Sequence, residues 1–189
     1  MKDLGHLHYC LGLEVWRENG KTLITQSKYT KEVLRRFNMN TCKPISTPLE
    51  QNVKLSNNDD SKEVDGTLYR QLVGILNYLT TTRPDIAYLV SILSQFMAKP
   101  HENHWKAANR VLRYLKGTID FGIEYTNDFD VELTGFSDSD WAGDPDDRKS
   151  TTGYACSIGS GIMSWSSKKQ PTVSLSSTEV EYKALCIAT

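Results

Sequence analysis

The spacing of apolar residues changes once along this chain of 189 residues, and no other feature limits its fold as much. From Thr67 to Gly117 apolar residues recur three or four positions apart, which is the period of helices that bury one face. From Val131 to Ser167 they alternate with polar residues, as in strands. The pattern predicts an α+β protein with two units, residues 1–126 and residues 127–189.

The first unit is predicted to hold a hairpin and a helical bundle. Leu7–Val15 and Thr22–Thr25 are rich in strand formers, and Glu18–Lys21 between them is a turn signal. Ser27 is the expected N-cap of a helix that continues to Phe37. Three more helices, whose apolar stripes need one another, are expected at about 67–80, 84–97 and 102–116.

The second unit is predicted to run in the order β-β-β-α. Its strands are expected at Val131–Trp141, Thr151–Ile158 and Ile162–Ser167. Ser176, with Glu179 three residues later, is the signature of a capping box that opens the last helix. That helix is still running, or just ending, at Thr189, so the unit is expected to be truncated.

Composition narrows the classes of function. The net charge of −1 provides no global attraction to nucleic acid, so any such attraction must come from local patches. The four scattered cysteines contain no C-x-x-C pair, which argues against a zinc site or a disulfide scaffold. No apolar run approaches 20 residues, and the first residues do not have the pattern of a signal peptide. We therefore expect a cytoplasmic or nuclear protein without a membrane partner.

The densest group of chemically active side chains is acidic. Residues 128–147 contain eight acids and no Lys or Arg. Most of them are expected to form a solvated loop. Asp138 and Asp140 differ because they lie where an apolar strand ends, and Glu179 and Glu181 follow in the first turns of the last helix. Carboxylates from a strand end and a neighbouring helix are typical ligands of a hard divalent cation. On their own, these residues leave the loop and the metal site both open.

Four motifs over about 50 residues make the pattern specific: Phe136–Asp144 (FSDSDWAGD), Arg148–Tyr154 (RKSTTGY), Ser164–Gln170 (SWSSKKQ) and Ser176–Tyr182 (SSTEVEY). In this order they resemble the opening of the RNase H domain of copia-type LTR retrotransposon Pol polyproteins. Five upstream motifs resemble the end of the reverse transcriptase palm and the region after it in the same elements: Met1–Gly5, Tyr9–Val15, Lys43–Pro48, Thr82–Ile86 and Arg113–Thr118.

The resemblance implies a hairpin and helical bundle from the reverse transcriptase tail, followed by a truncated RNase H-like β-β-β-α unit. RNase H enzymes cut the RNA strand of an RNA–DNA hybrid with two divalent ions, usually Mg²⁺, roughly 4 Å apart. By motif match, Asp138 resembles the first-strand catalytic metal ligand and Glu181 the helix glutamate. Asp140 stands where many of these domains have a small residue.

The family's remaining carboxylates lie beyond Thr189, and the paired aspartates of its polymerase lie upstream. We therefore expect weak Mg²⁺ binding and no catalysis by this chain alone. The partners that the resemblance implies are RNA–DNA hybrid or duplex nucleic acid and the rest of the Pol polyprotein.

Local positive charge is concentrated on the fourth predicted helix, at about 102–116. Lys106, Arg110 and Arg113 recur there at helical spacing. Such a stripe could follow a phosphate backbone without reading bases, or it could be an ordinary solvated face. Arg110–Arg113 also reads R-x-L-R, a tetrapeptide of secreted oomycete effectors. The alternatives to a Pol segment are therefore a coding fragment recruited as a binding or effector protein, and a relic without function.

Overall fold

A computed structural model of the protein describes residues 5–50, 53–127 and 131–189. The strands are β1 (Tyr9–Cys10), β2 (Leu13–Glu18), β3 (Lys21–Thr25), β4 (Gly122–Thr126), β5 (Leu133–Ser139), β6 (Thr151–Ile158) and β7 (Gly161–Lys169). The helices are α1 (Ser27–Arg36), α2 (Gly66–Leu79), α3 (Ala87–Ser94), α4 (Glu102–Gly117) and α5 (Ser177–Ala188), with a 3₁₀ turn at Pro84–Ile86 before α3.

The predicted α+β class is confirmed. The residues Met1–Leu4 of the first upstream motif, and the acids Asp128 and Asp130, lie outside the described ranges. Within those ranges, no helix combines the length and the apolar character needed to cross a membrane.

The N-terminal sheet differs from the predicted hairpin. Leu7–Val15 is not one strand, because Leu11 and Gly12 have positive φ angles of 49° and 81° and turn the chain between β1 and β2. Residues 122–126 supply a fourth strand, β4, which lies antiparallel to β3 and places Ile24 opposite Ile123. This strand was not predicted, since its partner lies about a hundred residues earlier in the sequence.

The prediction that Ser27 caps α1 is wrong. The N-cap position is Gln26, and the Ser27 hydroxyl instead donates to the carbonyl of Ile119 at 3.1 Å. The first turn of α1 is satisfied from another element, since the Glu14 carboxylate on β2 accepts from the Lys28 amide at 2.9 Å. Glu14 is only 4% exposed and also pairs with the Lys28 ammonium at 3.3 Å. A carboxylate at a helix N-terminus is favoured by the helix dipole.

Four helices form the main core. The apolar faces of α1, α2, α3 and α4 meet and bury a single cluster that includes Val33, Leu72, Leu76, Leu93 and Leu112. The predicted stripes of α2, α3 and α4 are confirmed, because their apolar members are the buried ones. The Tyr69 hydroxyl, inside this cluster, donates to the carbonyl of Leu93 at 2.9 Å, which satisfies its polar end.

The second sheet is the antiparallel meander β5-β6-β7, with α5 packed on β5 and β6. Thr151–Ile158 is a strand as predicted, and the third strand is longer than predicted. Ser176 caps α5 as expected, since its hydroxyl accepts from the Glu179 amide at 3.2 Å. The Glu179 carboxylate bonds the Leu175 amide at 2.8 Å, one residue before the position that a capping box uses.

The two predicted units touch through a few polar contacts. The Trp165 indole N–H of β7 donates to the Thr80 carbonyl at the end of α2, at 3.1 Å. The Tyr125 hydroxyl of β4 donates to the Ile162 carbonyl at 2.7 Å. The Asn57 amide donates to the Asp146 carboxylate at 2.7 Å. These contacts fix the surfaces between which the candidate site lies, while the domain boundary near residue 127 stays a prediction.

Candidate functional site

Asp138 lies near the end of β5, directly opposite Gly153 of β6. Its side chain is exposed, and no hydrogen bond to its carboxylate is found in the described part of the chain. It lines a cavity of about 440 Å³ between the second sheet and the start of α3. We call this the Asp138 cavity; its lining includes Pro84, Tyr88, Asp138, Asp140, Gly153 and Trp165.

Asp140 lies in the same cavity but is engaged by its own loop. Its carboxylate accepts a short hydrogen bond from the Thr151 amide. A side chain at Gly143 would overlap the Asp140 carboxylate, so glycine is needed there. Burial raises the pKa of Asp140 above its ordinary value, and the negative charges of Asp144 and Asp138 act in the same direction. Asp140 is therefore built into the turn after β5.

Glu181 lies on α5 with its side chain exposed, and α5 buries Val180 and Ala184 instead. None of the residues that line the Asp138 cavity belongs to α5. The opposite face of the sheet carries the contacts to α5: the Lys183 ammonium donates to the Ser174 hydroxyl at 3.0 Å. That hydroxyl belongs to a buried network formed by Ser139, Thr152, Gln170 and Ser174.

This network explains why Glu181 is absent from the lining. Consecutive strand residues point to opposite faces, so Ser139 turns towards α5 and Asp138 turns towards α3. The cavity beside Asp138 and Asp140 opens between the sheet and the start of α3, and no residue of α5 lines it.

Two Mg²⁺ ions do not fit the carboxylates that the structure describes. Asp140 is committed to its turn, and Glu181 lies outside the Asp138 cavity. Among the residues that the structure describes, no group of three or more Asp, Glu, His or Cys side chains could hold a metal ion. Mg²⁺ requires near-octahedral oxygen coordination, and one free carboxylate leaves most positions to water.

The basic stripe of α4 is only partly open. The Arg113 guanidinium donates to the Lys43 carbonyl at 2.9 Å, and Arg110 donates to the Thr47 hydroxyl at 3.0 Å. Lys106 is exposed and forms a 3.5 Å pair with Glu102 on its own helix. All three basic residues line a cavity of about 960 Å³, together with Glu50, Asp59 and Asp60. The two arginines thus hold residues 43–47 against α4. Their side chains are engaged within the protein, whereas the side chains of a solvated face would be free.

The loop between β5 and β6 is more ordered than a solvated acidic loop. Lys169 of β7 places its ammonium between Asp144, at 2.5 Å, and Asp147, at 2.9 Å. Burial disfavours the charged form of Lys169, but the hydrogen bonds and charges of the two aspartates outweigh it and raise its pKa. Lys169 is therefore already paired with these two carboxylates. Its partners lie 22 and 25 residues away, so spacing alone did not indicate them.

The histidine pair at the start of α4 is buried and structural. The His104 ring stacks on Phe96 with centroids 3.9 Å apart, and its Nδ1 accepts from the His101 amide at 3.0 Å. Its Nε2 therefore carries the proton and donates to the Ser56 carbonyl at 3.0 Å. The pair thus caps the start of α4, and neither residue lies at the surface.

Comparison with known proteins reveals similar sequences of transposon origin. The chain is 46% identical over 98% of its length to the retrovirus-related Pol polyprotein from transposon RE2 of Arabidopsis thaliana, and it spans 13% of that polyprotein. It is 45% identical over 99% of its length to an uncharacterized mitochondrial protein of the same plant, of which it covers 78%.

A third relative carries a different name. The secreted RxLR effector protein 161 of Plasmopara viticola is 52% identical over 64% of the chain, and the match covers 86% of that protein. No protein-family model matches the chain. No solved structure matches it.

Proposed function

The chain belongs to the family of retrovirus-related Pol polyproteins of transposons, and on that premise we propose that it is the segment in which a reverse transcriptase ends and an RNase H domain begins. The observation that carries this proposal is the β5-β6-β7-α5 unit, with Asp138 at the end of its first strand and free in a cavity. The motifs that resemble RNase H lie on these four elements, in the same order.

In the complete Pol polyprotein, Asp138 and Glu181 would act as carboxylate ligands of divalent ions that assist hydrolysis of the RNA strand. In this chain alone Glu181 does not line the Asp138 cavity, so the proposal requires a further segment to complete the site. The proposal therefore assigns no hydrolase activity to the 189 residues by themselves.

Cleavage of a labelled RNA–DNA hybrid in Mg²⁺ tests the proposal. We expect none from the 189-residue chain, and cleavage from a longer chain that continues into the following Pol sequence. In the longer chain, Asp138→Asn or Glu181→Gln should lower the rate by more than about 100-fold, since even outer-shell changes lower metal-site activity by 10–100-fold. The matched controls Asp120→Asn and Glu32→Gln change exposed acids outside the site and should leave the rate unchanged.

Two results would contradict this assignment. One is Mg²⁺-dependent cleavage by the 189-residue chain that Asp138→Asn abolishes, because the site would then be complete without the later carboxylates. The other is full activity of the longer chain with Asp138→Asn, because Asp138 would then have no part in the reaction.

We further propose that the outward face of α4 contacts the phosphates of a hybrid or duplex. Lys106 is the exposed member of the stripe, while Arg110 and Arg113 are engaged by residues 43–47. Each phosphate contact releases condensed counterions, so Lys106→Ala should reduce the slope of log affinity against log salt by about one. Lys31→Ala, on the exposed face of α1, is the matched control. An unchanged slope for Lys106→Ala would leave the stripe without a role in binding.

A second candidate, an effector role, is favoured by the similarity to the RxLR protein. In the folded chain, however, the tetrapeptide Arg110–Arg113 is part of α4, and Leu112 is fully buried. A receptor that reads an extended peptide could not reach it without unfolding the helix. Fusion of the chain behind a secretion signal, with uptake by host cells as the readout, separates the two roles. Uptake that is lost in Arg110→Ala at unchanged stability would favour the effector.

A further inference from the structure

The Asp138 cavity combines negative charge with aromatic walls. Its lining holds two carboxylates, those of Asp138 and Asp140, and no Lys, Arg or His side chain. Tyr88 approaches from α3 and Trp165 from β7. The positive charge of Lys54 acts to lower the pKa of Asp140, but Lys54 does not line the cavity. A cavity of this kind is complementary to a cation with a flat or apolar body, because aromatic faces attract cations.

The walls of the cavity are already fixed in place. The Trp165 indole is held by its hydrogen bond to Thr80, and β6 contributes a floor of small residues, Gly153 and Ala155. Ser167, also in the lining, has a buried hydroxyl without a hydrogen-bond partner among the described residues. The volume of about 440 Å³ lies within the range of small-ligand sites.

We infer that the Asp138 cavity binds a guanidinium group, with the carboxylate of Asp138 as its partner and Tyr88 and Trp165 as its walls. A guanidinium is planar, stacks on aromatic rings and presents N–H groups in a fork that matches a carboxylate. An ammonium ion shares the charge but neither the plane nor the fork. This guanidinium site shares Asp138 with the proposed nuclease site, but the inference concerns the 189-residue chain and does not rest on nuclease activity.

Titration with argininamide, followed by NMR of the ¹⁵N-labelled chain, tests the inference. The indole N–H signal of Trp165 is identified as the one missing in Trp165→Phe. It should shift saturably, while the signal of Trp16, which is 61% exposed on the other sheet, should not move. Urea at the same concentration is the matched control ligand, because it is planar like a guanidinium but carries no charge. It should shift the Trp165 signal less than argininamide does. Lysinamide should bind more weakly.

Two variants test whether the guanidinium binds inside the Asp138 cavity. Asp138→Asn should weaken binding about tenfold or more, since a hydrogen bond to a charged group contributes roughly 1.5–3 kcal/mol and 1.4 kcal/mol is tenfold. Gly153→Val should abolish binding by filling the floor; an added Cβ at Gly153 meets no heavy atom closer than 3.7 Å, and circular dichroism of the variant checks that it folds. Gly135→Val is the matched control in β5, where a Cβ meets Cys156 at 3.6 Å.

Comparing argininamide with a blocked Gly-Arg-Gly peptide decides whether the bound guanidinium belongs to a protein segment or to a free small molecule. Tighter binding of the peptide assigns the site to an arginine of a protein segment, and tighter binding of argininamide assigns it to a free guanidine compound. Equal shifts with urea would overturn the inference. It would also fail if Trp165 did not respond to argininamide, or if Gly153→Val responded like Gly135→Val.

Discussion

Removing the charge of Asp85 should lower the stability of this protein more than breaking an exposed ion pair would. The Asp85 carboxylate accepts from Arg83 Nε at 2.9 Å and from a terminal guanidinium nitrogen at 2.7 Å, and from the Tyr114 hydroxyl at 2.8 Å. Arg83 is only 3% exposed and also donates to the Thr118 carbonyl at 2.8 Å. The pair therefore fixes the turn before α3 to the end of α4.

The magnitude follows from the burial of Arg83. Asp85→Asn keeps the shape of the side chain but leaves a buried guanidinium without its counter-charge. Breaking a buried pair in this way costs about 3–5 kcal/mol. Because the Asp85 side chain is 32% exposed, water can partly replace the carboxylate, and we expect a loss near the lower limit, about 3 kcal/mol. That is a large part of a typical folding free energy of about 5–15 kcal/mol.

Urea unfolding followed by circular dichroism measures the loss, provided that the m-value stays constant. Glu124→Gln is the matched control, since it breaks the 3.1 Å pair with Lys21, in which both side chains are about half exposed. That change should cost about 0–1 kcal/mol. The double variant Arg83→Met/Asp85→Asn should be more stable than Asp85→Asn alone, because it removes the unpaired charge. If Asp85→Asn and Glu124→Gln were equally stable, the reasoning would be refuted.

Four further outcomes are expected. Burial lowers the pKa of His104, so its neutral ring stabilises the fold above the unfolded pKa of about 6.5. This stabilisation is lost as the pH falls towards the folded pKa. Urea midpoints measured between about pH 7 and 5 should show the loss, and the pH dependence should be absent in His104→Gln. Burial opposes the charge of Asp85, but the bonds and charge of Arg83 and the bond from Tyr114 outweigh it, and the net effect lowers its pKa. The stability from Asp85 should therefore be present above about pH 3.9, be lost as the pH falls through the folded pKa, and be missing from the pH profile of Asp85→Asn. Glu14→Gln should lower stability by about 1 kcal/mol in the same assay, because the first turn of α1 loses its charged acceptor. Gly122→Ala should lower it by about 1–3 kcal/mol, because the added Cβ would overlap the carbonyl oxygen of Ile24; an unchanged midpoint would show that β3 and β4 can move apart.

The sequence alone determined the elements whose information is local. The helices α2 and α4 and the strand β6 were predicted nearly at their observed bounds, because an apolar stripe and its caps lie within each segment. The motifs also indicated Pol polyproteins of transposons, and the sequence comparisons confirm that relationship. Asp138 and Asp140 were predicted to lie where an apolar strand ends, and both line one cavity at the end of β5.

Tertiary structure decided whatever depends on residues that are distant in sequence. The strand β4 became visible only through its pairing with β3, and the cap of α1 comes from Glu14 on a strand instead of Ser27. The arginines of the basic stripe are held by residues about 60–70 positions earlier, so the free face that their spacing predicted is partly covered. Glu181 does not line the cavity that holds Asp138, and this depends on how α5 packs on β5 and α3 packs on β7. Spacing along the chain determines which residues share a face of one element, but only packing determines what that face meets.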